Sequence, residues 1–206
     1  MTVDALLLSF YGDDIAGSAA AMDSCSSATA GQIAFAERSG FRPIPLDATR
    51  SVDVAAWGQE LGAGADRALA SLGQGADPIV MTATGPDDPA VAGFRAAVEA
   101  SGADPATVND RIVAGLGEIL DRVLRTARLR RAVISGGDTS GHATLRLGVY
   151  ALTAIAPLAP GAPLCHAHAD GSAGDAYEGL ELALKGGQVG RADFFLAAKN
   201  GGATIV

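Results

Sequence analysis

The sequence predicts an α/β fold: an open, mixed or parallel sheet flanked by helices. Short apolar runs of strand length alternate along the chain with longer stretches whose apolar residues recur at helical spacing. Hydrophobic residues make up 49% of the 206 residues and charged residues 18%, enough for a sizeable core and too apolar for disorder. Aromatics are scarce at 5%, while alanine and glycine are abundant, which suits helices packed closely on a sheet.

The elements follow in order. Ala5-Leu-Leu-Leu-Ser-Phe10 reads as the first strand, and Gly12 to Ser18 as a turn into a short helix, Ala19 to Met22. Asp13 and Asp14 therefore stand at the carboxyl end of a first strand, where open α/β sheets bind ligands, or else they cap the helix. No crossover strand follows. A serine-rich turn, Asp23 to Thr29, leads instead into a helix with Ile33, Ala34, Phe35 and Ala36 on its apolar side, so the first unit looks unfinished. Ile44 to Leu46 is a short strand that Pro43 and Pro45 restrict to an edge. Val54 to Leu72 is a helix with Trp57, Leu61, Ala65 and Leu69 on one face, and Pro78 to Thr82 a buried strand. Val91 to Ala100 and Thr107 to Ala127 are helices joined by the short loop Ser101 to Pro105. Ile112, Val113, Leu116, Ile119, Leu120, Val123 and Leu124 mark the core stripe of the longer one. Ala132 to Ile134 is a strand, with helical spacing resuming at Ala143, Leu145 and Leu147. Val149 to Ile155 is the next strand. The proline- and glycine-rich stretch 156–177 offers one more at Ala162 to Ala169, Leu180 to Leu184 is the last, and Asp193 to Lys199 is a closing helix.

Composition excludes some functions. The net charge of −8 and the lack of a basic stripe argue against nucleic-acid partners, without excluding a small anion held by backbone amides. Two cysteines, Cys25 and Cys165, make neither a disulfide framework nor a metal spacing. Cys165-His-Ala-His168 would place both histidines on one face of a strand and the cysteine on the other, too few ligands for zinc. The start lacks a basic leader and no apolar run is long enough to span a bilayer, so a cytoplasmic protein without a membrane partner is expected.

Two glycine turns carry the chemistry. Between the strand ending at Ser135 and the next helix lie Gly136, Gly137, Asp138 and Thr139. Strand, glycine turn and helix start place several N–H groups at one point, and the helix dipole favours an anion there. The turn matches neither the P-loop nor the dinucleotide fingerprint, and a plain capped turn is the competing reading. Lys185-Gly-Gly-Gln-Val-Gly190 is a second glycine-rich turn leaving a strand, able to converge with the first on one anion, or else a mobile surface turn with Lys185 in solvent. Ser24, Ser26, Ser27 and Thr29 add hydroxyls at a third helix start.

Ser135-Gly-Gly-Asp-Thr-Ser-Gly141, Leu182-Ala-Leu-Lys-Gly-Gly-Gln-Val-Gly190 and Ala192-Asp-Phe-Phe-Leu196 together resemble the nucleotide-binding domain of the four-carbon acid sugar kinases. Ser24-Cys-Ser-Ser-Ala-Thr-Ala-Gly-Gln-Ile33 is similar to the start of that domain, and the first 22 residues, through Phe10-Tyr-Gly-Asp-Asp-Ile-Ala-Gly-Ser18, to the opening of the family's separate sugar-acid domain. The resemblance implies residues 1–22 as a remnant of that N-terminal domain and 23–206 as the nucleotide-binding domain, a shortened kinase. It implies ATP with Mg2+ as cofactors and a sugar acid such as 3-oxo-tetronate, threonate or erythronate as acceptor, with a homo-oligomer possible. It further implies ATP contacts at Ser24, Ser26, Gly136, Gly137, Asp138, Thr139 and Gly187, and a catalytic role for Asp14. The chain departs from the family at Ala16 (usually Thr), Asp138 (usually Glu) and Gln188-Val189 (usually Asn-Phe). A non-catalytic nucleotide-binding module or partner subunit is the alternative reading.

Overall fold

The computed structural model describes residues 5–9, 27–170 and 177–202, with the backbone alone for residues 5–9 and Asp138. Seven strands form one sheet: β1 (Ala5–Ser9), β2 (Arg42–Pro45), β3 (Pro78–Met81), β4 (Arg131–Ser135), β5 (Val149–Ala159), β6 (Ala162–Ala169) and β7 (Glu181–Lys185). Their order is β2-β3-β1-β4-β7-β6-β5. The first five in that order run parallel, and β6 and β5 close the far side as an antiparallel hairpin. The sheet is thus the mixed, helix-flanked type expected. As the prolines require, β2 lies at an edge. β1, from the stretch resembling the opening of the sugar-acid domain, takes a central place between β3 and β4.

Helices cover both faces. The helices described in full are α1 (Ser27–Arg38), α2 (Val54–Gly73), α3 (Pro89–Ser101), α4 (Pro105–Ala127), α5 (Gly137–Arg146) and α6 (Phe194–Lys199). On one side, Trp57, Leu61 and Ala65 of α2 and Leu116 and Leu120 of α4 pack with Val80, Ala132, Ile134 and Leu182 of the strands. On the other, Ile33 and Ala36 of α1 and Phe194, Phe195 and Ala198 of α6 cover Ile79, Met81, Val133 and Ala183. Strand residues go alternately to the two clusters because successive side chains point to opposite faces. The expected stripe of α4 is buried along its whole length. In α2 the buried face runs through Ala68, with Leu69 only partly covered. A 3-10 turn at Ala48–Val52, not foreseen in the sequence, joins β2 to α2.

The helix starts differ in a way that bears on the site. Asp53, Asp88 and Asp104 cap α2, α3 and α4, each accepting a bond from a first-turn amide. The cap of α5 is Gly136, which has no side chain to do the same. The carboxyl ends of β4 and β7 open on this side of the sheet. At the opposite end Arg131, Glu181, Lys199 and Asp77 form a linked set of ion pairs that ties β4, β7 and α6 together. Among the described residues no helix is long and apolar enough to cross a membrane.

Candidate functional site

Three turns meet at the carboxyl ends of β4 and β7. The parallel register sets Ser135 opposite Lys185, and on the other side of β4 it sets Ser9 opposite Ser135. Beyond Ser135 the chain turns at Gly136, whose φ of 128° and ψ of 136° lie in a region that only glycine enters without strain. That conformation lets the Gly136 amide reach the Lys185 carbonyl at 2.9 Å, locking one glycine turn to the other. The start of α1 joins them through Thr29 Oγ1, which donates to the Gly187 carbonyl at 2.7 Å, and Gln32 Nε2, which donates to the Val189 carbonyl at 3.0 Å.

Lys185 sits at the centre. It is only 3% exposed, so the reading of a solvated lysine on a mobile turn is corrected. Strand parity explains the burial: Ala183 faces α1 and α6, and Lys185, two residues on, faces the same way. Its ammonium donates to Ser135 Oγ at 2.9 Å, to Thr29 Oγ1 at 3.0 Å and to the Gly187 carbonyl at 3.5 Å, with the Phe194 ring 5.8 Å away. Among the described residues no carboxylate pairs with it. Burial pushes its pKa down to about 8.

Thr139, in the first turn of α5, is fully buried, and its hydroxyl has no hydrogen-bond partner among the described residues. Buried polar groups are rarely left so. Gly137 is exposed at the start of α5, Asp138 follows it in the backbone of the helix, and Gly187 is half-buried. The structure therefore brings Gly136, Gly137, Thr139 and Gly187 to one place. Asp14, Ser24 and Ser26 lie outside the described residues.

Lys185, Ser135 and Gln32 were missed as site residues. The signal for Ser135 and Lys185 was a hydroxyl residue and a lysine each ending a strand just before a glycine pair, and Gln32, inside α1, carried none. On β6, Cys165 is buried, and burial raises its thiol pKa, which keeps it protonated. His168 on the same strand bonds Thr153 and lies 3.2 Å from Glu178, serving the hairpin.

Backbone amides at a glycine-capped helix, a buried ammonium and an unpartnered hydroxyl form a donor-rich, positive site, able to hold an anion of phosphate type. Residues 19–195 match the family model described as the nucleotide-binding C-terminal domain. The chain belongs to the four-carbon acid sugar kinase family, in its nucleotide-binding domain. A 3-oxo-isoapionate kinase of Paraburkholderia graminis is 40% identical over 189 residues, covering 92% of this chain and 40% of that kinase. A 3-oxo-tetronate kinase of Pseudomonas savastanoi is 32% identical over 179 residues, covering 85% of this chain and 36% of the kinase. The acid sugar kinase domain thus spans about 40% of the length of the first of these curated relatives. Two solved structures share its fold, each with a TM-score of 0.65. A Haemophilus influenzae protein of the DUF1537 family matches 97% of this chain and 40% of its own at 21% identity. A Bordetella bronchiseptica DUF1537 domain, crystallised with bound citrate as a domain-swapped dimer, matches 96% of this chain and 41% of its own at 18% identity.

Proposed function

We propose that this domain binds ATP with Mg2+ and serves an ATP-dependent kinase acting on four-carbon sugar acids of the 3-oxo-tetronate, threonate or erythronate kind. The observation that carries the reading is the locking of the Gly136–Thr139 turn against the Lys185–Gly187 turn, with a buried Thr139 hydroxyl unpartnered among the described residues in the first turn of α5. Gly136, Gly137, Asp138, Thr139 and Gly187 are the proposed phosphate contacts, with Ser24 and Ser26 leading into α1. The residues present fit phosphates: they offer N–H and hydroxyl donors beside the charge of a buried ammonium. Among the described residues there is no cluster of three His, Cys, Asp or Glu side chains. Magnesium with a nucleotide needs none, because phosphate oxygens, water and one or two carboxylates complete its shell. Bound there, MgATP would supply the γ-phosphoryl group.

The kinase names of the relatives, both for 3-oxo sugar acids, support the acceptor class. The acceptor hydroxyl would form the new P–O bond as the bond to the β-phosphate oxygen breaks and the hydroxyl proton leaves. Asp14 is the proposed acceptor of that proton. What supports it is that β1 ends at Ser9, in register with Ser135, five residues before Asp14. Catalysis in such a reaction rests on positioning and charge stabilisation. The division into residues 1–22, of the sugar-acid domain type, and 23–206 is part of the proposal, as are a homo-oligomeric state and a cytoplasmic location. The family match beginning at residue 19 supports the division.

The test is mass spectrometry of products from MgATP and a panel of four-carbon sugar acids, with the parent and Asp14→Asn. The reading expects a phosphorylated acid that Asp14→Asn forms far more slowly while binding MgATP as well as the parent. Nucleotide binding without product would leave only a nucleotide-binding module, and no nucleotide binding would end the reading.

A further inference from the structure

A lysine withdrawn from water without a carboxylate is costly unless something repays it. Among the described side chains Lys185 is in that position, and the charged ones on the elements around it are paired or placed elsewhere. Glu181, at the opposite end of β7, pairs with Arg131. Asp193, just before α6, faces Arg191 at 3.9 Å. Glu37 and Arg38 stand in the last turn of α1, and the α1 residues nearest Lys185, Thr29 and Gln32, are uncharged. Arg131 lies at the far end of β4 and Arg146 at the far end of α5. On α6 the one charged side chain is Lys199, paired with Asp77 at the opposite end of the strands. In α5, Asp138 is the carboxylate of the first turn, its side chain outside what the structure describes. The positive ends of α1 and α5 also converge here, which adds to the positive potential of the described residues.

We propose that Lys185 is the positioning residue of the phosphate site: an ammonium that ties the starts of α1 and α5 to the β7 turn and whose counter-charge is the phosphate of the bound nucleotide. The proposal rests on the nucleotide reading above and adds to it a residue and a proton. All three of the ammonium's bonds go to parts of the three turns, Ser135 before α5, Thr29 in α1 and the Gly187 carbonyl. Lys185 thus fixes the distances among the donors. Without the anion, burial lets the amine lose its proton near pH 8. A phosphate close by favours the charged form, so the complex holds more protons than the free domain. Binding therefore takes up a proton around pH 8. Affinity falls as pH rises beyond that point, by at most about tenfold per unit for one proton.

The experiment is calorimetric titration of MgADP into the full chain at pH 8 in two buffers of different ionisation enthalpy, repeated at pH 9. At these pH values the phosphates of ADP are already ionised. The parent should take up about half a proton at pH 8, as a group with a pKa near 8 requires. Lys185→Met should bind roughly ten- to a hundredfold more weakly, the range for loss of a charged hydrogen-bonding group, with no proton uptake. Lys185→Arg, charged at every pH used, should bind without uptake and keep its affinity from pH 8 to 9. Binding by the parent without uptake, or the same uptake in Lys185→Met, overturns the proposal even if a variant folds poorly, because the parent measurement stands alone. If MgADP does not bind, pyrophosphate in its place separates the two ideas. Pyrophosphate binding with uptake upholds Lys185 while the nucleotide reading falls, and silence with both ligands overturns both.

Discussion

Lys185 Nζ donates to Ser135 Oγ at 2.9 Å across two strands that pair the same two residues in parallel register. The contact fixes the ends of β4 and β7 from which both glycine turns depart, and it buries an amine whose pKa falls to about 8 from the ordinary 10.5. The unfolded chain therefore binds more protons than the folded one between roughly pH 8 and 10.5, and folding stability gains with rising pH in that window. Lys185→Met removes the effect. The stability of the parent relative to Lys185→Met should be flat below pH 8 and rise from pH 8 to 10. Urea unfolding at pH 7, 8, 9 and 10 measures it, and a flat difference throughout would mean the amine is not buried as described.

Thr139 gives a second expectation of opposite sense for folding and binding. Its hydroxyl is buried without a partner among the described residues, a state that costs about 1–3 kcal/mol. Thr139→Val keeps the shape and removes that cost, so the domain without ligand should be as stable as the parent or gain up to about 1 kcal/mol. MgATP binding should weaken roughly tenfold, the share of one hydrogen bond to a charged group. Denaturant unfolding and calorimetry on the same preparations check both. Lower stability with unchanged affinity would make the hydroxyl structural.

Gly115 serves as a control away from the site. A Cβ there would come 2.6 Å from Leu61 Cδ1 and from Trp57 Nε1, where α4 crosses α2. Overpacking of this kind costs about 1–3 kcal/mol. Gly115→Ala should lose stability by that amount and, once folded, bind MgATP like the parent. A large change in affinity would show that the site depends on the α2–α4 contact.

Local signals made most of the fold legible. The apolar spacing of Ile112 to Leu124 marked the buried face of α4, and Pro43 and Pro45 marked β2 as an edge. The centre of the sheet was not legible. Nothing in Ala5–Ser9 says which strands it will join, because strand order depends on partners far along the chain. The run 149–159 reads only to Ile155 as a strand, since its continuation to Ala159 comes from pairing with β6 through the turn at Pro160 and Gly161. Of the site, the two glycine turns stood out by composition. Lys185 did not, because a lysine beside two glycines looks like surface until strand parity turns it toward Phe194.

The most direct measurement is calorimetric titration of MgATP into the parent and into Gly137→Val. Gly137 is exposed at the first position of α5, so a valine there would stand where a phosphate would approach the backbone. The account predicts one nucleotide bound per chain by the parent and at least about tenfold weaker binding by Gly137→Val, the loss of one charge-assisted bond or more. No heat of binding from the parent, or equal affinity in the two proteins, would contradict a nucleotide site at the converging turns.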